Sequence, residues 1–327
     1  AIQLQEAAEV RNEFYFRYQY LLEQERDYYR DFFQVRARPR FQEVADNLDV
    51  TYLIEKLRAS WNMLFHQRVY RTKYDIRFLD EVVSYVERLD LEEYPVLAIH
   101  YYGYRGLAED DASGQMVGQL RTAVQRHGDL LSAHDRRHVI LMAINLCISN
   151  ANRGRDSYVR ESFEWYRLGL EQDVISENGK MTRATYLNVV SGALKLAEYD
   201  WTRTFIEQYT PQLEEEIREN TERFARARLS YERKEYSVAM PLLVQVDFKH
   251  PVYNLVAKTL LLKIYYELDE FDALDSQVDA MLTYVRRKEL SDLHRDNFKN
   301  LARLTRSLSR LNPRNKKKRE QLRQRIT

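Results

Sequence analysis

LAEYDWT at 196–202, YERKEYS at 231–237 and YELDEFD at 266–272 are three versions of one turn, and their spacing decides how the chain folds. Trp201, Tyr236 and Phe271 follow one another at steps of 35 residues, each preceded by an acid: Asp200, Glu235 and Glu270. Leu194, Leu229 and Ile264 keep the same step as an aliphatic row, and Leu196, Tyr231 and Tyr266 as a bulky one. A fixed period of this length marks stacked helical units, each too small to bury its own apolar face.

Each unit reads as a helix, the acidic turn and a second helix. Tyr186, Val189, Val190, Leu194 and Ala197 recur at helical spacing before the first turn. Phe205, Ile206 and Tyr209 do so after it. The aromatic that follows each turn is expected to be buried between the two helices, at an equivalent position in every unit. Thr210 and Pro211 read as an N-cap and a first helical position, as do His250 and Pro251.

This third of the chain resembles the tetratricopeptide repeat family. The likeness rests on the step of 35 residues against the family's roughly 34, the helix–turn–helix pattern, and the aromatics opening the second helices. Ala239 matches one of the family's small second-helix residues, and Pro211 falls where that helix often ends. The family's first-helix tryptophan and Leu-Gly pair have no counterpart here. The resemblance implies a right-handed, all-α superhelical solenoid of antiparallel helix pairs acting as a protein-binding scaffold. It also implies that first helices line a concave face. On the 35-residue step Asn188, Arg223 and Lys258 form one candidate partner-binding row, and Lys195, Ser230 and Tyr265 another. Asn, Arg and Lys together suit an acidic or carboxylate-ended peptide, because all three donate hydrogen bonds.

Outward from the repeat, the chain reads as more helical hairpins. Nine glycines and six prolines in 327 residues leave long uninterrupted segments, and 24 tyrosines suit inter-helix packing with the hydroxyl left wet. Residues 5–33 predict one long helix with aromatics on several sides, packed on two faces, with an exposed aromatic partner surface as the alternative. A short helix is expected over 41–48 and a longer one over 50–70. Residues 76–89 supply a mate carrying Phe78, Leu79, Val82, Val83, Val86 and Leu89. Pro95 opens the next pair, with a second helix from about Ser113 to His127, and residues 134–150 and 157–171 form another. Ser291 is placed to cap a last helix. The expected organisation is degenerate hairpins over 1–180, explicit repeats over 181–312 continuous with them, and a basic helix or tail over 313–327.

Motifs for chemistry are sparse. HDRRH sets His134 and His138 one helical turn apart, but Asp135 stands where a zinc protease needs glutamate, and Arg136 and Arg137 repel a cation. The pair is expected to be surface histidines, with no metal. Cys147 lies in the apolar run VILMAINLCI and is expected to be core. A lone cysteine fits a reducing, cytoplasmic setting. There is no phosphate loop, nucleophile elbow or dinucleotide fingerprint, so the expectation is a non-enzyme without cofactors. No apolar run reaches membrane-spanning length.

Charge is segregated. Residues 303–327 carry ten basic side chains and one acid, Glu320, so the rest of the chain is net acidic although the whole is +1. KKKR at 316–319 gives a rival expectation, nucleic-acid or ribosome-associated binding through the basic end. A solvated helix belonging to a longer protein accounts for the same run, and the absence of an initial methionine leaves the true N-terminus open. The leading expectation is an interaction scaffold for a protein or peptide partner.

Overall fold

The computed structural model describes residues 10–32, 41–70, 72–108 and 113–311. Fourteen α-helices and no β-strand occur among the described residues. The basic stretch 313–327 lies outside them, as do residues 5–9 of the first expected helix. The chain divides into two compact units, residues 1–177 and 178–327.

The first unit contains α1 (Glu13–Phe32), α2 (Phe41–Tyr70), α3 (Leu79–Val86), α4 (Pro95–Ala108), α5 (Gln115–His127), α6 (Ala133–Ala151) and α7 (Ser157–Glu171). α1 packs on α2, and α2 in turn holds α3 and α4; α4 pairs with α5, and α6 with α7. The centre is dry. Ile54, Leu57 and Trp61 of α2 are buried with Val96, Leu97 and Ile99 of α4. The indole of Trp61 sits so close to α4 that a Cβ on Gly103 would fall 2.3 Å from it, so only glycine permits this approach.

Three expectations change here. α1 begins at Glu13, because the Asn12 side chain accepts from the Tyr15 amide at 3.2 Å and caps the helix. The two helices expected over 41–70 are one, since nothing between Leu48 and Val50 interrupts hydrogen bonding. And α1 is not packed on two apolar faces. Phe14, Tyr18, Leu21, Tyr28 and Tyr29 are exposed, whereas Glu13, Glu23 and Asp27 are buried.

The second unit contains α8 (Arg183–Lys195), α9 (Tyr199–Tyr209), α10 (Glu215–Glu232), α11 (Tyr236–Val244), α12 (Pro251–Glu267), α13 (Phe271–Arg287) and α14 (Asp292–Ser309). Each helix packs on its successor, and α8, α10, α12 and α14 also pack in series. Leu255, Leu262, Leu274, Val278, Met281, Val285 and Ala302 form one buried cluster from α12, α13 and α14. Ser291 caps α14 through the His294 amide.

The hairpin turns share one geometry. Ala197, Lys234 and Asp269 have left-handed φ values of 59°, 60° and 57°. The next residue is always glutamate, and the amides of Glu198, Glu235 and Glu270 donate to Ala193, Ser230 and Tyr265 at 3.0, 2.8 and 2.9 Å. The amide of the left-handed residue itself donates to Leu194, Tyr231 or Tyr266. These two bonds make the Schellman closure of a helix C-terminus.

The turns therefore recur at 37 and then 35 residues, not at 35 twice. Tyr199, not Trp201, matches Tyr236 and Phe271 as the first residue of the second helix. None of the aromatics at 201, 236 and 271 is buried, and Phe271 is 43% exposed. The first turn of a second helix faces outward. Thr202, Ala239 and Leu274, three residues in, fill the equivalent buried position. Thr210 and Pro211 also do not open α10. They form a 3-10 turn after α9, where the Thr210 hydroxyl donates to the Ile206 carbonyl and meets the buried Tyr186 hydroxyl at 2.8 Å.

Candidate functional site

The residues singled out for metal or thiol chemistry do not assemble. His134 is exposed, while His138 turns to the Asn62 side chain, 2.9 Å away. No group of three possible metal ligands occurs among the described residues. Cys147 is buried, and burial pushes its thiol well above the ordinary range. No helix among the described residues is long and apolar enough to cross a membrane.

Asp135, between the two histidines, belongs to a buried network. Its carboxylate accepts from Ser132 Oγ and, at 3.3 Å, from Asn12 Nδ2. Arg58 of α2 reaches Asp135 at 3.6 Å, pairs with Glu13, and bonds Glu55 at 2.9 Å. Burial raises the Glu13 carboxyl, opposed by its own backbone hydrogen bond and by Arg58. His100 of α4 lies within the field of Arg58, Asp135 and His138, and neither of its ring nitrogens has a hydrogen-bond partner among the described residues. Burial first, then Arg58, lowers its pKa to about 3. The network joins α1, α2 and α6, and it is a structural clasp.

The expected partner row is split. Counting back from each left-handed turn residue places Tyr186, Arg223 and Lys258 at one position, with Asn188 two residues further on. Asn188 is exposed on α8. Arg223 is half-buried, paired with Glu219 and donating to the Gln245 carbonyl at 3.2 Å. Lys258 is half-buried with its ammonium 5.7 Å from the Tyr284 ring centre. In the second row Lys195 is exposed, Ser230 buried and Tyr265 half-buried.

A surface with the features of a binding site lies instead between α2 and α3. Asp49, Tyr52 and Leu53 stand at i, i+3 and i+4 on α2, so they share one side of it. Phe78, Glu81, Val82, Tyr85 and Arg88 do the same along α3 and its flanks. Buried Leu53 and Val82 form the floor of a groove of about 460 Å³. Tyr52, Phe78 and Tyr85 form its walls, and they are 48%, 67% and 42% exposed. Phe78 was read as part of the packing stripe of its helix. It is held outward because it has φ 57° and stands immediately before α3. A left-handed residue costs about 1–2 kcal/mol unless it is glycine, and a bulky one there is an outlier worth explaining.

The groove's charges are unbalanced. Asp49 and Glu81 have no ion-pair or hydrogen-bond partner among the described residues. Arg88 leans over Tyr85, its guanidinium carbon 5.5 Å from the ring centre. The acidity extends beyond the walls. Burial raises the hydroxyl pKa of neighbouring Tyr94, with Glu93, Asp46 and Tyr85 pushing the same way. Sequence periodicity could not find this groove, because its two walls are joined only by tertiary packing.

No family model, curated protein or solved structure matches this chain.

Proposed function

We propose that the chain is a non-enzymatic interaction scaffold that holds a segment of a protein partner against its helices. The observation that carries this reading is the α2–α3 groove, where three aromatic rings face solvent above an apolar floor. Exposed contiguous aromatic surface is costly in water and marks interaction sites. Tyrosine in particular supplies contact area at low entropic cost. The size suits one anchoring side chain and its neighbours.

The finer architecture belongs to the same proposal: a superhelical stack of hairpins resembling tetratricopeptide repeats. The three Schellman turns and the serial packing of α8, α10, α12 and α14 support it. Asn188, Arg223 and Lys258 would then be secondary contacts.

The test compares the intact chain with a Tyr52→Ser/Tyr85→Ser variant, both immobilised and exposed to lysate from the native host. A protein retained by the intact chain and lost by the variant is the expected result. Identical retention by both, with equal melting temperatures, would remove the groove from the proposal.

A further inference from the structure

We infer that the α2–α3 groove receives a cationic side chain, lysine or arginine, from an otherwise apolar segment of the partner. The inference rests on the scaffold reading and adds the chemistry of what is bound.

The walls offer π faces on Tyr52, Phe78 and Tyr85. The negative face of an aromatic ring attracts a cation, and the attraction grows as water is excluded. Asp49 and Glu81 stand on opposite walls of the same groove, one on α2 and one in the first turn of α3. Neither is neutralised by a neighbour among the described residues. A guanidinium or ammonium entering between them meets aromatic faces and two acceptors without a partner among the described residues, so charge-assisted hydrogen bonds replace only those to water. An acidic side chain would meet two like charges against the single cation of Arg88, which already lies over Tyr85. The groove therefore discriminates by repulsion as well as by attraction. Arg88 already shows the preference from within the chain, since its guanidinium lies over Tyr85. Leu53 and Val82 at the floor take the aliphatic stem of the entering residue or an adjacent apolar one. The strained, solvent-facing Phe78 is explained in the same way. Its backbone conformation holds a ring at the mouth of the groove, where the incoming cation passes.

The test uses phage-displayed random dodecapeptides selected on the full chain, with counter-selection against Tyr52→Ser/Tyr85→Ser. Enriched sequences should carry lysine or arginine beside an apolar residue. The best of them, made as a labelled peptide, should bind Asp49→Asn/Glu81→Gln at least tenfold more weakly than the intact chain. It should also weaken as salt rises. Both substituted carboxylates are exposed, so the variant should keep the melting temperature of the parent. Enrichment of neutral or acidic peptides that still require Tyr52 and Tyr85 overturns the cation and leaves the scaffold reading intact. Basic peptides indifferent to Asp49→Asn/Glu81→Gln overturn it as well. No enrichment over the counter-selected variant overturns both.

Discussion

A side chain's worth in this chain follows from its place relative to a turn, not from its size. Trp201 is the largest residue of α9, yet it is only half-buried and stacks on Phe205 with ring centres 5.4 Å apart. Phe205 is the residue in the core, also touching Tyr186 at 5.1 Å and Tyr209 at 4.9 Å between ring centres. Truncating a buried phenylalanine removes transfer energy and leaves a cavity, about 3–5 kcal/mol. A half-exposed stacked ring loses mainly its face-to-face contact, about 0.5–1.5 kcal/mol. Phe205→Ala should therefore destabilise the chain more than Trp201→Ala does, as measured by urea denaturation. The reverse order would mean that α9 packs in a different rotation. Nothing in the motif LAEYDWT distinguishes the two placements, which is why the sequence favoured the tryptophan.

At the scale of the element, helix identity came through from periodicity and low glycine and proline content, but turn register did not. The closing residue of a Schellman turn is usually glycine, and here it is Ala197, Lys234 or Asp269, so no glycine marks the position. Acids at 200, 235 and 270 drew the first copy two residues out of line, whereas Glu198, Glu235 and Glu270 are the true equivalents. The long α2 was legible as helix but not as one helix. The aromatics of α1 suggested a helix buried on two sides, and the burial of Glu13 had no signal without knowledge of Arg58 on α2. The α2–α3 groove was illegible for the same reason, because Asp49 and Glu81 become neighbours of the same space only after folding. The turns also give a stability test. Ala197 and Lys234 are exposed and pay about 1–2 kcal/mol for left-handed backbone. Glycine removes that strain but adds about 0.5–1 kcal/mol of unfolded-state entropy. Ala197→Gly and Lys234→Gly should each raise the urea midpoint by a gain of about 0.5–1 kcal/mol, with unchanged slope. Asp269→Gly should gain less, since aspartate tolerates this conformation better. A loss in the first two would show that the turns do more than close the hairpins.

At the scale of the molecule, two units with different interiors should respond differently to acid. Among the described residues the second unit buries no carboxylate and no histidine; its buried polar side chains are Thr202, Thr210, Thr221, Ser230 and Asn254. The first unit instead buries Glu13, Asp135 and His100 around Arg58. His100 has a folded-state pKa of about 3 against an ordinary 6.5. Below pH 6.5 the unfolded chain takes up a proton that the folded chain refuses, so this residue removes stability as pH falls towards 3. Glu13 acts in the opposite sense. Its raised pKa means that the folded state gains a proton first, and stability rises as pH falls through that value. His138, also lowered by burial, shares the direction of His100 but keeps its contact with Asn62. Since both ring nitrogens of His100 lack partners among the described residues, leucine replaces a penalised polar group with an apolar one of similar bulk. His100→Leu should therefore hold or raise the melting temperature at pH 7.5. It should also flatten the decline of melting temperature between pH 6.5 and pH 4, followed by circular dichroism. Hydrogen exchange at pH 5 should place the gain in protection within residues 1–177 and leave 178–327 unchanged. Parallel pH profiles for the two proteins would show that His100 is protonated in the folded state, and that the Arg58 network accommodates the added charge.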